Sequence, residues 1–246
     1  MVDENRILRE DRDGLCILTM NRPEKLNALD PAMFVALEPH VADLETSTTI
    51  GCVVLKGAGR AFCAGVDLNA LAGNRTRPGY SGEILERLSS LPQPVIASIH
   101  GACYTGALEL ALACDFMVAD ATARFADTHG KWGLVAGWGM TERLPRRIGL
   151  ARAKRMTFTA QTLSAQQALE IGLVDELAAE GELEAVTEQF ARAILANSWF
   201  SNAHHKAAMR RTDGVTVDEG LTIVKSTPGL RAPEFQERVR GFVKKG

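Results

Sequence analysis

Apolar and polar residues alternate over residues 6–21 on either side of the turn sequence DRDG, and this alternation predicts a β-hairpin. Two short apolar runs, CVVLKG at 52–57 and VIASIH at 95–100, have the length and composition of buried strands. Glycine and then helical periodicity follow each run. The repeated succession of strand and helix predicts an α/β architecture.

Capping signals mark two helices. Asp30 is followed by proline, so a helix is predicted to begin there with the aspartate as its N-cap, and Pro39 inside the pattern is expected to bend or shorten it. Ser164 is predicted to cap a second helix that Gly172 ends, and an apolar strand is expected to follow.

The last part of the chain, from about residue 181, is almost entirely helical in pattern. The pattern after residue 200 shows little sign of strands. Residues 200–246 are therefore predicted to form a helical extension that packs on the core or on a neighbouring subunit.

Composition and charge narrow the possible functions. The chain has 246 residues, of which 46% are hydrophobic and 24% charged, as in an ordinary globular protein. Its net charge of −2 gives no electrostatic support to nucleic-acid or membrane-surface binding. No apolar run reaches membrane-spanning length, because Glu109 and Asp115 interrupt the best candidate.

The five cysteines are odd in number and include no CxxC pair, so they are predicted to be reduced and mostly buried. The N-terminal sequence MVDENRILRE is too polar for a secretory signal. Together these features predict a cytoplasmic protein. No metal or redox cofactor is expected, because no His/Cys set has metal-ligand spacing and no dinucleotide-binding GxGxxG sequence follows a strand.

Two glycine-rich corners are candidates for ligand binding. In KGAGRAFCAGVDL the glycines allow sharp turns and close approach to a ligand, and Asp67 could cap the helix that follows. The spacing is not that of a phosphate-binding P-loop. Taken alone, this segment is more typical of a surface loop between a strand and a helix.

The second corner, GACYTGALE, combines a helix start with a carboxylate. The free N–H groups at a helix N-terminus attract negative charge, which makes Gly106 a natural donor to an oxyanion. Three residues advance about 300° around a helix, so Glu109 shares the face of Gly106. This geometry suits acid/base chemistry beside a polarised carbonyl. From these residues alone, a Glu109 that pairs with an arginine across a helix interface is at least as plausible.

Five segments in the same order resemble the crotonase superfamily, also called the enoyl-CoA hydratase/isomerase family. They cover most of residues 5–180 and are NRPEKLNAL (21–29), GRAFCAGVDL (59–68), QPVIASIHGACYTGALELALACDFMVA (93–119), ARFADTHGKWGLVAGWGMTERLPRRIG (123–149) and TLSAQQALEIGLVDEL (162–177). Because the segments are collinear, the resemblance is far more specific than any single motif.

The resemblance implies an α/β fold with a core of spiralled strand–strand–helix turns over residues 1–195. It also implies a helical region, residues 196–246, that builds homotrimers, often paired into hexamers. The implied ligand is an acyl or enoyl thioester of coenzyme A (CoA), which is part of the substrate, and no separate cofactor is implied.

The resemblance also assigns roles to residues. The backbone N–H groups of Val66 and Gly106 are expected to form an oxyanion hole for the thioester oxygen. The predicted CoA-binding residues are Lys25, Leu26, Ala64 and Asp67, with the Ala64 carbonyl at the adenine. Glu109 matches the first catalytic glutamate of the hydratases, where it would handle a proton or activate water.

One position departs from the family pattern. The hydratases carry a second glutamate four residues after a phenylalanine that corresponds to Phe125, and here that residue is His129. Asp127 lies nearby in sequence but is expected to point elsewhere. His129 could act with Glu109 as an acid or base. Alternatively, His129 is structural and Glu109 acts alone.

Other side chains near these motifs have ordinary structural interpretations. The two tryptophans of KWGLVAGWG, Trp132 and Trp138, are expected to line the acyl pocket or to pack behind it. His100 is expected to bond to backbone, and His204 and His205 to lie in the helical tail. A basic turn, solvated or facing CoA phosphates, is formed by Arg143, Arg146 and Arg147.

These observations favour an enzyme of fatty acid metabolism that stabilises a thioester enolate, most simply an enoyl-CoA hydratase that adds water to a 2-trans-enoyl thioester. An isomerase that converts 3-enoyl to 2-enoyl thioesters, or a thioester hydrolase, would need only one base. A protein that binds acyl-CoA without turnover is the alternative in which the chain is not an enzyme.

Overall fold

The computed structural model describes residues 5–71, 77–225 and 231–243. Within these residues nine strands form two sheets. The strands are β1 (Ile7–Arg12), β2 (Leu15–Met20), β3 (Cys52–Gly57), β4 (Val95–Ile99), β5 (Ala102–Tyr104), β6 (Phe116–Asp120), β7 (Arg124–Ala126), β8 (Leu163–Ser164) and β9 (Glu176–Ala178).

The helices are α1 (Pro31–Thr46), α2 (Leu68–Leu71), α3 (Tyr80–Ser90), α4 (Gly106–Leu112), α5 (Met140–Ile148), α6 (Leu150–Thr159), α7 (Ala165–Glu170), α8 (Leu183–Leu195), α9 (Trp199–Thr212), α10 (Val217–Lys225) and α11 (Phe235–Val243). Short 3₁₀ helices cover Pro23–Lys25 and His129–Trp132. The α/β architecture predicted from the sequence is confirmed.

The large sheet has the strand order β1-β2-β3-β4-β6-β9. The predicted hairpin is its antiparallel edge, with Ile7 opposite Met20, and the other neighbouring strands are parallel. The small sheet has the order β5-β7-β8, and β5 and β7 run parallel. Because parallel sheets are covered on both faces, their strands are almost continuously apolar, as the two runs in the sequence are.

Two apolar layers cover the large sheet. On one face Leu18, Val53, Leu55 and Ala97 belong to the main core, which also contains buried residues of α1, α3 and α4. On the other face a smaller cluster around Ile17 and Val54 packs against α8. The candidate site lies on the side of the main core.

The predicted helix starts are confirmed. The Asp30 side chain accepts a hydrogen bond from the Met33 amide at 2.9 Å. Ser164 and Gln167 form a reciprocal capping box at the start of α7, which ends before Gly172, and β9 follows.

Pro39 does not shorten its helix, because α1 continues to Thr46, and the alternative that it bends the helix stays a prediction. A proline removes one backbone donor from the helix. Buried apolar side chains on both sides of it, Leu37 before and Val41 after, hold the two halves of α1 against the core. Burial of these side chains outweighs the lost hydrogen bond.

The C-terminal part of the chain is helical where it is described, as predicted. Helix α9 packs on the chain's own core through Lys206, whose Nζ lies 2.6 Å from Asp115 Oδ2 and 2.9 Å from the Gln93 carbonyl oxygen. The boundary at residues 195–196 and the role of this region in oligomerisation stay predictions.

All five cysteines are buried free thiols, as predicted. Burial raises the pKa of the Cys63 thiol to about 12, so this thiol is protonated at neutral pH. Within the described ranges, no helix has both the length and the apolar composition needed to cross a membrane.

Candidate active site

The two glycine-rich corners lie side by side. Cys63, in the loop after β3, pairs with Cys103 of β5 as an isolated parallel bridge, and the Cys63 amide donates to the Ala102 carbonyl at 2.9 Å. Gly65 has φ +109, and a β-carbon there would lie 2.8 Å from the Tyr104 carbonyl oxygen. The close approach of the two segments therefore requires glycine at this position.

This pairing brings Val66 against Gly106, the first residue of α4. A β-carbon on Gly106 would lie 2.7 Å from Val66 Cγ2. On its other side Val66 pairs with Leu29, whose hydrogen bonds go to the Gly65 carbonyl and the Asp67 amide, both at 2.8 Å. Since successive amides alternate in direction, the Val66 N–H points away from Leu29.

The amides of Val66 and Gly106 have no acceptor among the residues that the structure describes. Backbone donors enclosed by protein are normally satisfied. Two neighbouring unsatisfied donors, one of them at a helix start, are suited to an oxygen that carries negative charge. The assignment of these two amides as an oxyanion hole stays a prediction.

Thr105 ties the start of α4 to the segment that carries His129. Its amide donates to the Ala126 carbonyl at 2.8 Å, and its hydroxyl lies 2.5 Å from the Thr128 hydroxyl and accepts from the Thr128 amide at 3.2 Å. The φ of Thr105 is +55, which costs a side-chain-bearing residue about 1–3 kcal/mol. These hydrogen bonds hold the residue in that conformation.

We predict that Thr105→Val lowers the free energy of unfolding by about 1–3 kcal/mol, because the Thr128 amide loses its acceptor. Thr105→Ser is the matched control, since it keeps the hydroxyl. Urea denaturation of both variants measures the difference. Equal stability of the valine and serine variants would show that the hydroxyl contacts do not hold this junction together.

Glu109 is 1% exposed and lies on α4. Its Oε1 accepts hydrogen bonds from the amides of Trp138 and Met140, at 2.7 and 3.2 Å, and its Oε2 lies 3.5 Å from His129 Nε2. Met140 is the first residue of α5, so a helix N-terminus helps to hold the carboxylate. Among the described residues no arginine is within ion-pair distance of Glu109, and its charged partner is His129.

His129 is 7% exposed and begins the short helix His129–Trp132. Its Nδ1 lies 2.7 Å from Asp127 Oδ1, which also accepts from the His129 amide at 3.2 Å. Burial by itself would lower the pKa of His129, but the carboxylates of Asp127 and Glu109 outweigh it and raise the pKa to about 9. His129 is therefore an imidazolium at neutral pH.

The Asp127 carboxyl is the partner in this shift. Burial favours its neutral form, but hydrogen bonds from the His129 ring and amide outweigh burial and hold the pKa of Asp127 below its usual value. The raised pKa of His129 stabilises the folded protein below the unfolded pKa near 6.5, and this contribution is lost as the pH rises through about 9.

Asp127 does not take the place of the second glutamate, as expected, but its contact with His129 was not predicted from the sequence. Aspartate side chains often accept a hydrogen bond from the backbone two residues later, as Asp127 does from the His129 amide. The D-x-H spacing was therefore a usable signal. It places the carboxylate beside the imidazole ring rather than beside Glu109.

A cavity of about 190 Å³ adjoins Val66 and Trp138. Its apolar wall includes Leu29, Phe34 and Tyr80, and the Phe34 and Trp138 rings meet edge to face at 5.0 Å. Trp138 thus lines this cavity, and its place in an acyl pocket stays a prediction. Trp132 is 60% exposed, so neither alternative describes it.

The predicted CoA-binding residues lie on two segments that a hydrogen bond joins. The Ala64 amide donates to the Leu26 carbonyl at 2.9 Å, next to the exposed Lys25. The Asp67 carboxylate accepts from the Asn69 amide at 3.1 Å and so has the predicted capping role. It also accepts from Arg22 Nη1 at 2.8 Å, so its predicted contact with CoA would compete with an internal ion pair.

His100, His204 and the arginines of the basic turn contact their own chain. His100 Nε2 bonds to the Gly59 carbonyl oxygen at 2.9 Å, as predicted, and His204 bonds to backbone within α9. The arginines of the basic turn also have internal partners, which are Glu86 and the Trp138 carbonyl for Arg143, Asp213 and the Glu142 carbonyl for Arg146, and Asp175 and the Leu173 carbonyl for Arg147. Within the described ranges no three His, Cys, Asp or Glu side chains are grouped closely enough to hold a metal ion.

Comparison with known proteins places this geometry in context. The family model described as enoyl-CoA hydratase/isomerase matches residues 10–227. The 1,2-epoxyphenylacetyl-CoA isomerase of Escherichia coli is 34% identical over 97% of this chain and 95% of its own. The crotonyl-CoA hydratase of Syntrophomonas wolfei is 30% identical over 100% and 97%. The crystal structure of an enoyl-CoA hydratase from Bacillus anthracis superposes with a TM-score of 0.91 at 30% identity, covering 98% of this chain and 96% of that one.

Proposed function

Because the chain belongs to the enoyl-CoA hydratase/isomerase family, whose fold it shares, we propose that it is an enoyl-CoA hydratase that adds water to a 2-trans-enoyl thioester. The family membership confirms the resemblance predicted from the sequence. Relatives that are named hydratases and match nearly the whole chain support this activity. The reaction belongs to acyl-CoA metabolism, and fatty acid breakdown is the simplest setting.

One observation carries the proposal: two unsatisfied amides, of Val66 and Gly106, lie side by side at the start of the helix that carries Glu109, whose carboxylate faces His129. The amides are suited to the thioester oxygen as it becomes an enolate oxygen. The Glu109 carboxylate and the His129 imidazolium, which lie 3.5 Å apart, are suited to the neighbouring carbons. Losing one donor of such a pair typically costs about 3 kcal/mol of barrier.

The reaction can then be written with the protons balanced. Glu109 takes a proton from water as the water oxygen bonds to C3, and the C2–C3 π electrons pass to the thioester oxygen, held by the Val66 and Gly106 amides. His129 Nε2 then gives a proton to C2 as the carbonyl re-forms. The product is a 3-hydroxyacyl thioester.

An isomerase that moves a double bond from C3 to C2 is the second candidate. Carboxylate and imidazolium lie only 3.5 Å apart, so one proton could leave C2 and another return at C4 without water. A relative named as an isomerase at 34% identity also favours this alternative. Thioester hydrolysis and acyl-CoA binding without turnover remain as outcomes of the test.

A turnover screen separates these functions. Purified protein is mixed with crotonyl-CoA and longer 2-enoyl thioesters, and the loss of enoyl absorbance is followed. Hydration incorporates oxygen from labelled water into the product, isomerisation of a 3-enoyl thioester does not, and hydrolysis releases free CoA. Calorimetric binding of CoA with no turnover of any thioester would indicate a binding protein instead.

The finer features of this proposal rest on the sequence and the family. Lys25, Leu26, Ala64 and Asp67 are proposed to contact CoA, with the adenine near Ala64. Trimeric or hexameric assembly and a cytoplasmic location are proposed on the same basis, and gel filtration with light scattering tests the assembly.

A further inference from the structure

We propose that Asp127 is a positioning residue that keeps His129 protonated and turned toward Glu109, so that a cationic acid, rather than a second carboxylic acid, faces the base. The inference rests on the proposed function for its chemistry. It rests on geometry alone for the arrangement of the three side chains.

The Asp127 carboxylate is held in a fixed position beside His129. Asp127 directly follows β7, is 1% exposed, and holds both the amide and the ring of His129 through Oδ1. Asp127 Oδ1 thus fixes the positions of both the backbone and the ring of His129. A ring held at both points has little freedom to rotate away from Glu109.

This geometry requires a particular protonation state of the His129 ring. An ionised carboxylate only accepts hydrogen bonds, so Asp127 requires a proton on His129 Nδ1. The opposite ring nitrogen, Nε2, faces the Glu109 carboxylate at 3.5 Å. A bare Nε2 would place a lone pair against a carboxylate oxygen, whereas a protonated Nε2 is attracted to it. Both ring nitrogens therefore carry protons.

Two carboxylates face the His129 ring from different elements. Glu109 faces it from α4 and Asp127 from the end of β7. Two carboxylates around one imidazole raise its pKa to about 9 in spite of burial. Removal of either carboxylate is expected to move that pKa down.

The same arrangement can return Glu109 and His129 to their starting protonation states. After water has added, Glu109 holds a proton and His129 has lost one. A proton passing from Glu109 to His129 Nε2 across the 3.5 Å separation restores both groups without exchange with solvent. Asp127 favours this transfer because its negative charge stabilises the imidazolium more than the neutral ring.

The test is the titration of His129 in wild type and in Asp127→Asn, followed by ¹H–¹⁵N NMR with His129→Gln to identify the resonance. We expect the wild-type ring to titrate near pH 9 and the asparagine variant at least one pH unit lower. Asp120→Asn is the matched control, because Asp120 is also buried and accepts from the backbone two residues later, at Thr122. It should leave the His129 titration unchanged.

The kinetic readout is the pH profile of kcat/KM with crotonyl-CoA. In Asp127→Asn the alkaline limb should move down by at least one pH unit, so the loss of activity should be at least about threefold at pH 8.5 and much smaller at pH 6. An equal loss at all pH values would indicate a merely structural role and would overturn the proposal. So would wild-type titration of His129 near pH 6.5, a result that needs no variant.

The two proposals fail separately. If no enoyl thioester is turned over while Asp127→Asn still shifts the His129 titration, the proposed function is wrong and the positioning role stands. If crotonyl-CoA is hydrated but neither the titration nor the profile moves, the positioning role is wrong and the function stands.

Discussion

Glu109→Gln is expected to reduce the hydration of crotonyl-CoA by about 10²–10⁴-fold, the usual range for loss of a general acid or base. Glutamine keeps the shape of the side chain and can still accept from the Trp138 and Met140 amides. It cannot take a proton from water, and its amide donors would face a protonated His129. The loss should therefore appear in kcat, measured from the decrease of enoyl absorbance.

The control for this variant is Glu170→Gln. Glu170 is exposed at the end of α7, where it bonds to Gln166, and the change should leave turnover within about twofold of wild type. Circular dichroism establishes that the Glu109 variant is folded. Retention of more than a third of wild-type activity in a folded Glu109→Gln would remove Glu109 from the mechanism and leave His129 as the candidate base.

The features that the sequence predicted well depend on residues close together along the chain. The runs CVVLKG and VIASIH became β3 and β4 because a continuous apolar run can be satisfied only where both faces of a strand are buried. The spacing of Gly106 and Glu109 was equally informative, since both lie on one short helix. Caps such as Ser164 depend on three or four neighbouring residues and could be read directly.

What the sequence did not show depends on contacts between distant segments. Glu109 is held by amides 29 and 31 residues further along the chain, and no local pattern points to them. The pairing of Cys63 with Cys103 likewise depends on how two loops meet. Asp127 was missed for a different reason: its two-residue spacing from His129 was visible, but the shift from strand to 3₁₀ helix that turns both side chains to the same point was not.

Gly106→Ala is expected to reduce kcat by about 10²-fold, the lower end of the loss seen when an oxyanion donor is removed. The added methyl would lie 2.7 Å from Val66 Cγ2 and 2.8 Å from Trp138 Cζ3, which is closer than carbon atoms approach each other. Val66, Trp138 or the start of α4 must shift, and a shift of the Val66 backbone or of the helix start separates the two amides. Overpacking of this kind also lowers the free energy of unfolding by about 1–3 kcal/mol.

The kinetic loss must be separated from the loss of stability. Gly220→Ala in α10 is the control, because a methyl there meets Thr212 at an ordinary 3.5 Å and lies on a helix remote from Glu109 in sequence. Binding of CoA alone, measured by calorimetry, should be unchanged in Gly106→Ala, since CoA carries no thioester oxygen for the amides to hold. A variant that lost CoA affinity and turnover in equal proportion would indicate general distortion of the site. Unchanged turnover would show that the Gly106 and Val66 amides are not the groups that stabilise the enolate.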